Sequence, residues 1–143
     1  RWDSLGEFLA LAESFEKFGR QTETPAAEVL GRALDAATGT FLDENKSPSR
    51  KVGELDNRGS HYFLVRYWAE ELAKQTEDAR LAEVFAPVAK ALAEKEEQII
   101  SELNGAQGVA VDLGGYYRPD EKKVSEIMRP SATLNEIIDG LKA

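Results

Sequence analysis

Apolar residues recur at intervals of three and four along most of this chain, the spacing that lines one face of an α-helix. Leu5, Phe8, Leu9, Ala12, Phe15 and Phe18 predict a first helix, with Asp3 or Ser4 as its cap and Gly19 as its stop. Thr24 followed by Pro25 predicts a second start, and Val29, Leu30, Ala33, Leu34 and Ala37 line its face up to Gly39. A connection this short makes the two an antiparallel pair. A third helix is expected from about Gly59 and Ser60. It carries Phe63, Leu64, Tyr67, Trp68 and Leu72, is the most aromatic element, and is therefore expected at the centre.

Asp78 begins a fourth helical pattern with Leu81, Val84 and Phe85, and Pro87 either kinks it or opens a new helix through Val88, Leu92, Ile99, Ile100 and Leu103. Gly105 is its expected stop. The run Glu94, Lys95, Glu96 and Glu97 reads as a solvated face. Residues 108–113 alternate weakly, with β-branched Val109 and Val111, and fit a short strand or an extended connection. Gly114 and Gly115 make a turn in which Tyr116 and Tyr117 read as aromatic anchors. A short helix from Asp120 to Met128 and a last one after Pro130 and Ser131, bearing Leu134, Ile137, Ile138 and Leu141, complete the pattern. The expected fold class is mainly α, with too few strand signals for a sheet of its own.

The pattern fails in one place, residues 45–61, where Pro48, Gly53 and Gly59 break any helix. Composition makes this place distinctive. Its four cations, Lys46, Arg50, Lys51 and Arg58, against Glu54 and Asp56 give a local charge of +2 in a chain of net charge −8. Ser47, Ser49, Arg50 and Lys51 supply hydroxyls, N–H groups and cations, the chemistry that binds phosphate; Arg adds a planar fork suited to bidentate contacts. The competing reading is a solvated loop whose cations pair with Glu54 and Asp56. No Walker or dinucleotide glycine fingerprint is present.

Other candidates have structural alternatives of the same kind. His61 at the start of the third helix suits capping or packing as well as proton transfer. Asp56 and Asn57 offer oxygen atoms to Mg²⁺, but turn and cap roles fit their position. Tyr116 and Tyr117 have the chemistry to stack on a base. The absence of cysteine excludes disulfides, zinc-thiolate sites and thiol nucleophiles, and a single histidine excludes a His-rich metal site. The acidic balance, with a pI near 4.8, argues against a general nucleic-acid binder and for a small ligand held locally. No apolar run approaches the roughly 18 residues of a membrane span, and the expected location is cytoplasmic. Because the sequence opens on Arg1 and Trp2, on the threshold of a helical pattern, it is expected to be a fragment of something longer.

The stretch Lys46-Ser-Pro-Ser-Arg-Lys-Val-Gly-Glu-Leu-Asp-Asn-Arg-Gly-Ser-His61, with Gly114-Gly-Tyr-Tyr117 and Met128-Arg-Pro-Ser-Ala-Thr133, resembles the C-terminal part of the monomeric-type NADP-dependent isocitrate dehydrogenases. The opening Trp2 to Leu11 segment and the Leu34-Asp-Ala-Ala-Thr-Gly39 helix end match as well, so the likeness covers nearly the whole chain. It implies that the 143 residues are one structural unit, the helical last fifth of a larger two-domain enzyme. In that enzyme the unit would belong to an α/β domain of the isocitrate and isopropylmalate dehydrogenase type. The resemblance assigns Arg1, Asp3 and Arg50 to NADP binding, with the arginines near the 2′-phosphate. It implies oxidative decarboxylation of isocitrate to 2-oxoglutarate and CO₂. The Mg²⁺ or Mn²⁺ ion and all catalytic residues would lie upstream of this segment, so none is assigned here. The implied partners are NADP, isocitrate and the rest of the same polypeptide in a monomeric enzyme, with no nucleic acid and no membrane. The alternative is a free-standing helical interaction module whose basic loop binds an acidic partner.

Overall fold

The computed structural model describes residues 4–141, which form α1 (Leu5–Thr22), α2 (Pro25–Asp43), α3 (Asn57–Lys74), α4 (Ala79–Glu94), α5 (Glu96–Gly105), α6 (Glu121–Met128) and α7 (Ala132–Asp139). No strand occurs among the described residues; residues 108–113 form an irregular connection that bends at Gly108 and Val109. The mainly helical expectation holds.

The first two helices run longer than their glycines predict, and for Gly19 the reason is packing. A Cβ on Gly19 would meet the backbone N of Glu28 at 2.8 Å, and one on Gly31 would meet the carbonyl oxygen of Ala12 at 2.7 Å. Both glycines let α1 and α2 approach backbone to backbone. The stop falls at Glu23, which takes a left-handed φ of 54° while the N–H of Thr24 donates to the Gly19 carbonyl at 2.9 Å. Gly39 lies inside α2, which continues to Asp43.

The third helix is the centre of the bundle, packing against α2, α4 and α5, while α7 crosses α4 and α5. Phe8, Leu34, Phe41, Tyr62, Phe63, Leu64, Tyr67, Leu92, Ile99 and Leu103 form the main core. Two polar atoms on α3 enter that core with partners. The Tyr62 hydroxyl donates to the Leu92 carbonyl at 2.8 Å, and the Trp68 indole Nε1 donates to the Leu30 carbonyl at 3.0 Å. Burial pushes the Tyr62 pKa up to about 12, because the phenolate would lose its water. Pro87 neither opens a helix nor ends one. It sits on the exposed side of α4, and the break comes at Lys95, where α5 begins. In the acidic run around that break, Glu96 turns to the guanidinium of Arg66 and the other three residues stay exposed.

Candidate functional site

The basic loop leaves α2 by reversing direction at Asn45, whose φ is 52°; the N–H of Lys46 then donates to the Phe41 carbonyl at 3.0 Å. Pro48 is buried beneath it. The loop closes on itself where the N–H of Ser49 donates to the Leu55 carbonyl at 2.7 Å and the Ser49 hydroxyl donates to Glu54 Oε2 at 2.5 Å. At the tip, Gly53 has a φ of 86°, a value that L side chains rarely adopt. Its N–H donates to Gln107 Oε1 at 2.8 Å, and Gln107 Nε2 returns a bond to the Glu54 carbonyl at 2.9 Å. One glutamine beyond α5 therefore holds both sides of the turn.

Three of the four loop cations have partners among the described residues, two of them part-buried and Lys51 on the surface. The Lys46 ammonium lies 4.2 Å from the centroid of the Phe63 ring, and its carbonyl accepts the Ser60 hydroxyl at 2.6 Å. Lys51 pairs with Glu54 at 3.5 Å. Arg58 donates to Asp56 Oδ2 through Nε and Nη2, at 2.9 and 2.6 Å, and through Nη1 to the Ile127 carbonyl at 2.7 Å. Arg50 is different. It is exposed, and it makes no hydrogen bond or ion pair with any described residue.

The remaining sequence candidates resolve into structural roles. Asp56 caps α3, its Oδ1 accepting the N–H groups of Arg58 and Gly59 at 2.9 and 3.1 Å. His61 donates from Nδ1 to the Asn57 carbonyl at 2.7 Å and stands edge-on to Phe8, with ring centroids 5.1 Å apart. Among the described residues no group of three or more His, Cys, Asp or Glu side chains is placed to hold a metal. Tyr116 and Tyr117 do not anchor the glycine turn. The turn is held instead by Asp112 Oδ1 accepting the Gly114 N–H and by the Asp120 N–H donating to the Leu113 carbonyl, which leaves both rings outside, 89% and 93% exposed. Arg1 and Asp3 lie outside the described residues.

Two features escape the sequence pattern. A cavity of about 660 Å³ opens beside Ser4, walled by Asn57, His61, Leu103, Met128 and Leu134, and the buried Asn57 Oδ1 has no hydrogen-bond partner among the described residues. Beside it, Glu102 ties α5 to the start of α7: its carboxylate accepts the Ser131 hydroxyl at 2.6 Å, the Thr133 hydroxyl at 2.7 Å and the Thr133 N–H at 3.2 Å. Those bonds, the one from Ser131 first, hold Glu102 below the ordinary glutamate pKa of 4.5. The signal was faint, a lone acidic residue on a helix and a Ser-Ala-Thr cap some 29 residues later.

Comparison with known proteins places this loop and bundle in a family of dehydrogenases. A family profile described as monomeric isocitrate dehydrogenase matches residues 1–139, and the chain belongs to that family. It is 63% identical over 142 residues to the isocitrate dehydrogenase (NADP) of Corynebacterium efficiens, covering 99% of this chain and 20% of that protein. Over 142 residues it is 60% identical to the Corynebacterium glutamicum enzyme of the same name and 54% identical to isocitrate dehydrogenase (NADP) 2 of Mycobacterium tuberculosis, covering 19% of each. The chain thus spans about a fifth of the length of these relatives. No helix among the described residues is long and apolar enough to cross a membrane.

Proposed function

We propose that these residues are the NADP-contacting C-terminal part of an isocitrate dehydrogenase, a longer chain that oxidatively decarboxylates isocitrate to 2-oxoglutarate and CO₂. The observation that carries this reading is Arg50: of the four cations in the loop, it alone has no partner among the described residues, and it belongs to a loop closed by the Ser49–Leu55 backbone bond and held at its tip by Gln107. A free guanidinium on a rigid base is suited to the 2′-phosphate that distinguishes NADP from NAD, because its fork makes charge-assisted bonds without first breaking an internal pair. Arg1 and Asp3 complete the proposed contact set. When bound, NADP supplies the hydride acceptor; the loop's part is to hold the phosphate end of the nucleotide in place.

The metal ion that polarises isocitrate and the catalytic residues are proposed to come from upstream in the chain, since Asp56, the tempting carboxylate here, is engaged by Arg58 and the α3 cap. The reading as an acidic-partner module is the weaker one. With Lys46 and Arg58 held by part-buried partners and Lys51 offset by Glu54, the loop offers little net positive charge to an extended acidic surface. Replacing Arg50 by glutamate in the full-length enzyme, with the apparent NADP constant as readout, tests the proposal.

A further inference from the structure

Residues 109–113 stand out once the rest of the surface is accounted for. Val109 is 70% exposed and Val111 50%, and the backbone N–H and C=O groups of Val109, Ala110 and Val111 bond to nothing among the described residues. Both ends of the stretch are nonetheless fixed. Upstream, Gln107 is clasped to the basic loop, and Val52, 72% exposed, lies so close that a Cβ on Gly108 would come within 2.9 Å of it. Downstream, the Leu113 carbonyl accepts the Asp120 N–H at 2.7 Å, and Asp112 pairs with Lys123. The result is a β-branched run that bends at Val109, has no bend from residue 110 to 113, is fixed at both ends and leaves the backbone of its first three residues unpaired among the described residues. A β-branched run with unpaired backbone N–H and C=O groups is a template for strand addition.

We infer that residues 109–113 add as a strand to an open sheet edge contributed by the remainder of the same enzyme polypeptide, with Tyr116 and Tyr117 packing beside the junction. The relatives are about five times the length of this chain, so most of the polypeptide lies outside the described residues. Pairing with a second copy is opposed by the net charge of −8 on each. Because Gln107 links this run to the turn carrying Gly53, close in the chain to Arg50, the seam would run alongside the cofactor loop. The inference rests on the reading that these residues belong to the longer enzyme.

The test is hydrogen exchange resolved to single amides in the full-length enzyme. Every second amide of residues 109–113 is expected to exchange at least about 100-fold more slowly than an unprotected amide, since a strand pairs through alternate N–H groups. Ala110→Pro and Val111→Pro should then differ, the one that removes a bonded N–H abolishing the protection, while Val111→Thr retains it. Free exchange at every amide of the run overturns the inference, and protection that grows with protein concentration overturns it in favour of self-pairing. Arg50→Glu, read in the same preparation, separates the two readings. Free exchange with a weakened NADP constant removes only the strand, whereas protected amides with an unchanged constant remove only the cofactor role.

Discussion

Asp56 serves Arg58 twice, accepting its backbone N–H on Oδ1 at 2.9 Å and its side-chain Nε and Nη2 on Oδ2 at 2.9 and 2.6 Å. The same carboxylate starts α3 and, through Arg58 and the Ile127 carbonyl, fastens the end of α6. Removing it should therefore cost more than an ordinary cap. Asp56→Ala is expected to destabilise the protein by about 2 kcal/mol, roughly 1 from the cap and the rest from leaving a part-buried guanidinium unpaired. Asp56→Asn, which keeps the cap acceptor, should cost less. Thermal midpoints of the two variants check this: an Asn variant as stable as the parent would mean that the ion pair contributes nothing, and equal losses in the two would mean that the cap contributes nothing.

Two glycines in α2 should respond with opposite signs. Gly31→Ala places a methyl group 2.7 Å from the Ala12 carbonyl and 3.0 Å from the Glu16 backbone N, so α1 must move; a loss of about 1 to 3 kcal/mol is expected. Gly39→Ala meets nothing within 4 Å, and in a helix interior it should stabilise by roughly 0.5 to 1 kcal/mol. Denaturation midpoints that move in the same direction would contradict the packing account.

Acid should loosen the attachment of α7 through Glu102. Its pKa is lowered by the bonds from Ser131 and Thr133, so the folded state binds the proton less readily than the unfolded chain does. That stability is present in full above the unfolded value near 4.5 and is lost as pH falls through the lower folded value. Glu102→Gln is expected to flatten the fall in thermal midpoint between about pH 5 and about pH 3. An acid limb as steep as that of the parent would remove Glu102 from this role.

These contacts show why some of the molecule was legible in the sequence and some was not. The apolar faces of α1 to α5 and the centrality of α3 follow from local spacing, which a helix obeys whatever surrounds it. Helix ends were less legible, because Gly19 is set by the distance to Glu28 on another helix, and α3 begins at Asn57 only because the Asp56 carboxylate caps it. Pro87, for which the sequence left a kink or a new helix start open, lies within α4 on its exposed side, and the break between helices comes at Lys95. In the loop, composition revealed four cations of equal standing. Their partners separate the engaged ones from Arg50: Glu54 for Lys51 lies close in the sequence, whereas Phe63 for Lys46 and the Ile127 carbonyl for Arg58 are long-range contacts that no local pattern reveals.

The central claim turns on Arg50, and the apparent NADP constant of full-length Arg50→Glu tests it most directly, with the isocitrate constant measured beside it. Loss of one charged contact with added repulsion should raise the NADP constant at least about tenfold, equivalent to about 1.4 kcal/mol or more, and leave the isocitrate constant near its original value. An NADP constant unchanged by the substitution would contradict the assignment of this loop to the cofactor.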